Sequence, residues 1–200
     1  MRIVAFTDHH AGTANLKKVA RLAWEKKAEY LICTGDFTIF DVAIEKVLSD
    51  IDAIGVPCII LPGNHEAPSL VKKYCMGKTN LLYLHMDTIR IGKHVFLSYG
   101  GGGFATDDPR FVTWSRQAIK KVGPDDIGIL LLHGPPYGTK LDILHGEHVG
   151  NKDYAGFIRN YTDKVRYVFC GHLHENFHKE DRIGKTRIIN AGPDGTFLEI

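Results

Sequence analysis

Five short apolar segments of this chain end at residues with carboxylate, amide or imidazole side chains. The segments run from Ile3 to Thr7, Tyr30 to Thr34, Val56 to Leu61, Ile127 to Leu132 and Val165 to Cys170. Short apolar runs that end at Gly, Asp or Asn are typical of buried strands. The chain is therefore restricted to folds in which several strand ends carry polar side chains.

Two segments between the early strands have the periodicity of a helix. Apolar residues recur at i, i+3, i+4 and i+7 within residues 16–23 and again within residues 44–51. This spacing predicts an amphipathic helix in each case. Two consecutive strand–helix–strand units predict a parallel sheet with right-handed connections, buried on both faces.

The second half of the chain is richer in strands. We expect strands at 80–84, 88–91 and 94–99 that pair antiparallel to one another, and closing strands at 186–190 and 196–200. A short helix is expected at 70–75, and two further helices at 111–122, which Gly123-Pro124 ends, and at 154–161. No change in composition and no repeat marks a second domain, so we expect one domain over residues 1–200.

Composition excludes several classes of protein. With 44% hydrophobic and 24% charged residues, the 200-residue chain is neither disordered, collagen-like nor a coiled coil. A net charge of +2 without long single-sign blocks does not favour nucleic acid or an anionic membrane as a partner. The four cysteines are far apart and form no CxxC pair, so we expect buried free thiols. Without a signal peptide or a long apolar run, we expect a soluble cytoplasmic protein.

The polar residues at the strand ends are the candidate site. Ligands bind beyond the carboxyl ends of the strands in open α/β sheets, and these ends converge in space. The candidate ligands are Asp8, His10, Asp36, Asn64, His133, His172 and His174. A set of oxygen and imidazole donors without thiolates suits Mn²⁺, Fe²⁺, Co²⁺ or Zn²⁺ better than Ca²⁺ or a structural zinc site.

The number of candidate ligands favours two metal ions. Seven ligands are too many for one tetrahedral ion and suit two ions about 3.5–4 Å apart that share a carboxylate. We expect Asp36 to bridge them. Two such ions activate water and bind phosphate oxygens, so the pattern predicts hydrolysis of a phosphate ester by in-line attack of metal-bound hydroxide.

The order of these motifs resembles that of the calcineurin-like metallophosphoesterase superfamily. The matching blocks are Asp8-His9-His10, Gly35-Asp36, Gly63-Asn64-His65-Glu66, His133-Gly134 and Gly171-His172-Leu173-His174. They follow the family pattern DxH, GD, GNH(D/E), H and GHxH. The resemblance implies an α/β fold, a four-layer α/β/β/α sandwich of two mixed sheets flanked by helices.

The resemblance also implies a role for each residue. One metal would be held by Asp8, His10, Asp36 and His174, and the other by Asp36, Asn64, His133 and His172. His65 would be the catalytic residue: with Asn64 it would contact the phosphate, and it would protonate the leaving oxygen, for which an imidazole is suited near neutral pH. We expect Glu66 or Asp36 to orient His65.

One position departs from the family pattern. The family often continues GD as GDxxD, whereas Ile39 stands at the final position here and Asp41 follows two places later. The missing acid lies outside the ligand set. We therefore expect its absence to alter the properties of the site but not to abolish the site.

A narrower resemblance concerns the loop after His133. The segments His133-Gly134-Pro135-Pro136 and His148-Val149-Gly150 resemble a subgroup of small metallophosphodiesterases with HGPP and HVG segments. This implies a small phosphodiester substrate, with a cyclic nucleotide as one candidate. His148 would then bind substrate, the alternative being a solvated loop histidine. Phe37 and Tyr137 would stack on a base or, equally, pack in the core or at the rim.

The leading hypothesis is therefore a dinuclear-metal phosphodiesterase. We expect two divalent transition-metal ions, with Mn²⁺ first and Fe, Ni, Co or Zn as alternatives, and a small phosphate ester as the partner. The alternative functions are a phosphomonoesterase, a nuclease of the same fold and a scaffold of low activity. The chain lacks a basic stripe for nucleic acid, and every expected ligand and His65 are present, which favours an enzyme.

Overall fold

Two mixed β-sheets lie face to face at the centre of the protein, and helices cover both outer faces. The structure is a computed structural model that describes residues 1–200. The helices are α1 (Thr13–Glu25), α2 (Ile44–Asp52), α3 (Pro68–Cys75), α4 (Pro109–Ala118) and α5 (Lys152–Asn160). The strands are β1 (Arg2–Phe6), β2 (Tyr30–Cys33), β3 (Cys58–Ile60), β4 (Leu81–Tyr83), β5 (Asp87–Ile91), β6 (His94–Tyr99), β7 (Ile127–Leu132), β8 (Ile143–Leu144), β9 (Glu147–His148), β10 (Val165–Cys170), β11 (Glu180–Ile183), β12 (Thr186–Asn190) and β13 (Thr196–Glu199).

The first sheet contains both predicted strand–helix–strand units. Its order is β13-β1-β2-β3-β4, with β1 to β4 parallel and β13 antiparallel at one edge. The prediction that β4 pairs antiparallel with the strands after it is wrong. The short helix α3 returns the chain to the same direction, so β4 lies parallel to β3.

The second sheet has the order β11-β12-β10-β7-β6-β5. Its four inner strands are parallel, and β5 and β11 are antiparallel edges. The sequence pattern missed β11, because the segment Glu-Asp-Arg-Ile lacks the apolar run of a buried strand. It also missed the small β8–β9 hairpin, whose strands have two residues each.

Three apolar clusters fill the spaces between the layers of the sandwich. One packs α1 to α3 against the first sheet, one fills the space between the sheets, and one packs α4 and α5 against the second sheet. Strand β1 shows how the pattern works, because Val4 and Phe6 face the helices while Ile3 and Ala5 face the other sheet. The predicted α/β/β/α sandwich of two mixed sheets is confirmed.

The loops after β1, β2, β3, β7 and β10 meet at one end of the sandwich. Backbone hydrogen bonds join them directly: the Asp8 amide donates to the Gly35 carbonyl at 3.0 Å, and the Gly171 amide donates to the His133 carbonyl at 2.7 Å. This end is where the sequence predicted the site. All four cysteines are buried and free, as predicted. None of the helices combines the length and the apolar content that crossing a membrane requires.

Candidate metal centre

Several candidate ligands have a strained backbone. Asp8, His10, Asp36 and His172 have φ angles of 51°, 45°, 50° and 71°, which lie in the left-handed region. Residues with a side chain rarely adopt this conformation, and it persists only where the surrounding structure enforces it. Each of these residues lies in a sharp turn close to the end of a strand. The turns direct side chains from different loops to one place.

Glycines next to these residues allow the loops to approach closely. A β-carbon at Gly63 would overlap the Asp36 carboxylate, and one at Gly171 would overlap Thr7 and the carboxylate of Asp8. The Gly residues of the GNH and GHxH blocks are thus required by the close contact of two loops at each position.

The first group of ligand atoms belongs to Asp8, His10 and His174, and these atoms lie within 4.8 Å of one another. Asp8 Oδ2 accepts hydrogen bonds from the Thr7 hydroxyl at 2.6 Å and the His172 amide at 2.9 Å. These bonds leave Oδ1 directed at His174 Nε2, 3.6 Å away. His10 Nδ1 is 3.0 Å from the Thr38 carbonyl oxygen, so it carries the proton and Nε2 is free to coordinate.

The second group contains Asp36, His133 and His172. His133 Nδ1 donates to the Thr34 carbonyl at 2.8 Å. Its Nε2 lies 2.9 Å from Asn64 Oδ1 and 3.3 Å from Asp36 Oδ2. Asp36 also belongs to a neighbouring group with His10 and His65, so its carboxylate lies between the two halves of the cluster.

The donor set fits two divalent cations. Buried Asp8 Oδ1 and His172 Nε2 have no hydrogen-bond partner, which is costly for polar atoms in the interior. The Nε2 atoms of His10 and His174 face each other at 3.2 Å, and His133 Nε2 faces two oxygen acceptors. Cations among these atoms would satisfy all of them, and mixed imidazole and carboxylate donors suit transition metals.

The protonation states show how the cluster balances its own charge. Burial opposes ionisation of Asp36, but its contact with His133 outweighs burial and lowers the pKa of the carboxyl to about 2. Burial acts against the charged form of His133, yet the contact with Asp36 and the charge of Asp8 raise its pKa to about 9. Burial and the neighbouring charge of His133 lower the pKa of His172 to about 4. His133 thus carries a positive charge that offsets part of the negative charge of Asp8 and Asp36.

His65 lies beside the cluster. Its Nε2 is 3.8 Å from Asp36 Oδ2, and its ring centroid is 5.0 Å from that of His10. The ring of Phe40 stacks on His65 at 4.3 Å with an interplanar angle of 20°. His65 is thus within reach of any group bound to the cluster, and Asp36 is the carboxylate that can orient it.

Glu66 has a different role from the one that the sequence suggested. Its Oε2 accepts hydrogen bonds from the amides of Asp36 and Gly63, both at 2.9 Å. Its Oε1 accepts from the amide and the hydroxyl of Thr38, both at 2.8 Å. Glu66 is buried and joins the loop after β2 to the loop after β3, so it fixes the backbone of Asp36 and does not orient the His65 ring.

Asp41 fixes the same two loops from the outside. Its carboxylate accepts from the Ala67 amide at 3.0 Å and 3.3 Å, and its own amide donates to the His65 carbonyl at 3.1 Å. The acid that stands two places late in the family pattern is therefore tied to the backbone around His65.

The structure brings together the seven predicted ligands and His65, but it separates other candidates. Phe37 is fully buried in the core cluster of the first sheet, so it cannot stack on a substrate. His148 Nδ1 pairs with buried Asp142 at 2.7 Å, and its ring lies 5.6 Å from that of Tyr137. These contacts belong to the loop after β7, and none joins His148 to the cluster.

Sequence reasoning missed two aromatic residues at the cluster. Phe40 contacts His65, and Phe104 contacts His172 edge-on with 4.5 Å between the ring centroids. Both side chains are largely exposed, at 72% and 62%. The available signal was their position in the loops that follow Gly35-Asp36 and Gly100–Gly103, Phe40 four residues after Asp36 and Phe104 directly after Gly103, which by itself does not distinguish them from other loop residues.

Fold and site together define a phosphoesterase of the metal-dependent type, and comparison with known families agrees. The model of the calcineurin-like phosphoesterase family matches residues 1–176. The chain belongs to this family. Its members are dimetal-dependent hydrolases, and the candidate ligands of this chain are of the kind that they need.

Individual relatives are distant. The chain is 28% identical to an uncharacterized protein of Methanocaldococcus jannaschii over 99% of this chain and 91% of that protein. It is 27% identical to a probable cyclic nucleotide phosphodiesterase of Colwellia psychrerythraea, over 82% of this chain and 63% of the relative. The crystal structure of TT1561 of Thermus thermophilus superposes with a TM-score of 0.76 at 16% identity, covering 96% of this chain and 90% of the other. This last likeness shows the shared fold.

Proposed function

We propose that the protein hydrolyses a small phosphodiester with two divalent transition-metal ions, Mn²⁺ being the expected ion. Asp8, His10, Asp36 and His174 would hold one ion, and Asp36, Asn64, His133 and His172 the other. The observation that carries the proposal is the position of Asp36 between two groups of converging acceptor atoms, with His65 directly beside them.

The ions would activate a water molecule and neutralise charge on the phosphate oxygens. The protein positions the remaining groups. The Asn64 side chain, whose Oδ1 lies 2.9 Å from His133 Nε2, would donate through its amide nitrogen to a phosphate oxygen. His65, next to Asp36, donates a proton to the oxygen of the departing alcohol, which would otherwise leave as an unstable alkoxide.

Sequence resemblance supports a diester over a monoester. The segments His133-Gly134-Pro135-Pro136 and His148-Val149-Gly150 resemble those of small metallophosphodiesterases. The Colwellia relative, a probable cyclic nucleotide phosphodiesterase, supports a cyclic nucleotide as the diester.

His148 remains the proposed substrate contact outside the cluster. Its imidazole is held by Asp142 and is 42% exposed, so its free nitrogen is open to a ligand. Asp142 is fully buried and also accepts from the amides of Gly138, Thr139 and Gly150, which keeps the loop in one conformation. A rigid loop can hold His148 ready for a substrate without a large entropy cost.

The test is hydrolysis of bis(4-nitrophenyl) phosphate and 4-nitrophenyl phosphate by metal-stripped protein, with Mn²⁺, Ni²⁺, Co²⁺, Zn²⁺ or Mg²⁺ added back. We expect metal-dependent cleavage that favours the diester, followed by cleavage of a cyclic nucleotide. Asp36→Asn should lower kcat/KM by about a thousandfold or more, whereas Asp163→Asn, an exposed control, should not. Preference for the monoester, or activity that survives Asp36→Asn, would overturn the proposal.

A further inference from the structure

Phe40 is unfavourable in two respects, the exposure of its aromatic side chain and the conformation of its backbone. Its side chain is 72% exposed although apolar side chains favour burial, and its φ of 48° lies in the left-handed region. A bulky residue in that conformation is rare and is found mainly where the surrounding structure enforces it for function.

The surroundings that enforce this conformation are the loops of the metal centre. On one side of Phe40, Thr38 is bound to Glu66 through its amide and hydroxyl. On the other side, the Asp41 amide donates to the His65 carbonyl, and the Asp41 carboxylate accepts from Ala67. Phe40 is thus fixed from both sides to the segment that carries His65.

The ring of Phe40 has one covered face and one open face. The covered face stacks on the His65 ring, with 4.3 Å between the ring centroids and an interplanar angle of 20°. The high exposure of the side chain means that the opposite face is open, so a planar group can continue the stack. Ile39 and Val42, exposed at 50% and 66% on the same loop, extend the apolar surface around it.

A second exposed aromatic ring lies on the other half of the cluster. Phe104 contacts His172 edge-on at 4.5 Å, with an interplanar angle of 64°. Phe40 belongs to the His65 side and Phe104 to the His172 side. Exposed apolar side chains grouped around a polar site typically mark a ligand-binding surface.

We propose that Phe40 is a specificity-determining residue whose open face stacks on the nucleobase of a nucleotide substrate, with Phe104 as the apolar border on the opposite side. The proposal rests on the proposed function, because it assigns a part of the substrate to a surface next to the phosphate site. Phe40 lies on the same side of the site as His65, the proposed proton donor to the departing alcohol. The stacked nucleobase therefore belongs to that alcohol.

A nucleobase is favoured over an alkyl chain for a geometric reason. The nearly parallel Phe40 and His65 rings present a flat surface of fixed orientation, and flat groups bind such surfaces by stacking. An alkyl chain has no such requirement and would be served equally well by the aliphatic side chains of Ile39 and Val42.

The experiment measures binding to Mn²⁺-loaded protein by isothermal titration calorimetry, so it does not depend on turnover. The probes are AMP, ribose 5-phosphate and octyl phosphate. For the unaltered protein we expect AMP to bind about tenfold more tightly than ribose 5-phosphate, since stacking of one base on an aromatic ring raises affinity by about 5- to 150-fold. Phe40→Ala should remove the difference, Phe40→Leu should remove most of it and Phe40→Tyr should retain it. Trp24→Ala, at an exposed tryptophan on α1, is the matched control and should retain it.

The outcomes separate this inference from the proposed function. Equal affinity for AMP and ribose 5-phosphate, or an unchanged ratio in Phe40→Ala, overturns the stacking role while phosphate binding stands. Equal weakening of both probes by Phe40→Ala shows that Phe40 only positions His65. Tighter binding of octyl phosphate than of AMP assigns the surface to alkyl chains. Failure of all three probes to bind overturns the phosphate site and the stacking role together, whereas a normal AMP preference without any hydrolysis overturns only the proposed function.

Discussion

The Nε2 atoms of His10 and His174 lie 3.2 Å apart, although 164 positions separate the two residues in the chain. His10 carries its proton on Nδ1, which faces the Thr38 carbonyl, so its Nε2 presents a lone pair. Contact with Asp8 raises the pKa of His174, which allows a proton on His174 to link the two rings. A metal ion would replace that proton, and both imidazoles would then act as ligands.

Replacing His10 should therefore reduce metal binding. In His10→Gln we expect fewer bound ions per chain than the two of the unaltered protein, because the ion bound by Asp8 and His174 loses a ligand. Elemental analysis of Mn²⁺-loaded, desalted protein measures this. His145→Gln, in an exposed turn between β8 and β9, is the control and should keep both ions. An unchanged metal content in His10→Gln would contradict the assignment.

His65→Gln should behave in the opposite way. If His65 is a proton donor and not a ligand, its loss should leave the metal content unchanged and lower kcat by about 100- to 10,000-fold. Elemental analysis and steady-state kinetics on the same sample check both parts. The result is informative because His65 also forms a group of metal-binding geometry with His10 and Asp36. Loss of an ion from His65→Gln would make His65 a ligand.

Much of the fold could be predicted because its strands are short apolar runs with clear ends. Val4 and Phe6 alternate with Ile3 and Ala5, and both sets are apolar, which indicates burial on both faces. The partner of a strand is not encoded in such a local pattern. The antiparallel pairing expected for β4 was wrong for this reason, and β11 was missed because an edge strand has no apolar run of its own.

The gathering of the seven candidate ligands at one end of the sandwich could also be predicted, since strand ends of a parallel sheet converge. Contacts within the loops could not. The hydrogen bonds of Glu66 depend on the amides of Asp36, Gly63 and Thr38 converging on one point, which follows from left-handed turns invisible in the sequence. The same is true of Phe40, which is exposed while Phe37, three residues earlier, is buried.

The buried carboxylate of Glu66 should contribute to stability. Glu66→Gln replaces one acceptor oxygen with an amide group that faces backbone donors, so we expect a loss of about 2 kcal/mol in the free energy of unfolding. For a chain of this length that is a fall of roughly 4–8 °C in Tm. Differential scanning calorimetry measures it. Glu25→Gln, at the exposed end of α1, should leave Tm nearly unchanged. An equally small effect of Glu66→Gln would show that the hydrogen bonds of Glu66 to the two loops do not stabilise the fold.

Metal affinity should rise with pH because His133 must lose a proton to coordinate. Its pKa in the metal-free protein is raised from 6.5 to about 9, so the imidazolium form stabilises that state. This stabilisation is complete below pH 6.5 and is lost as the pH rises through 9. The raised pKa of His174 acts in the same direction, whereas the lowered pKa values of Asp36 and His172 place their transitions at acidic pH.

Two measurements between pH 6.5 and 9 check this relationship. The Tm of the metal-stripped protein should fall as the pH rises, because His133 loses the charge that balances Asp36. Over the same range, Mn²⁺ affinity from competition with a chelator of known proton affinity should increase by up to about tenfold per pH unit for each proton released. Affinity independent of pH across this range would mean that His133 binds no ion, because a buried imidazolium has no lone pair at Nε2 to offer a metal.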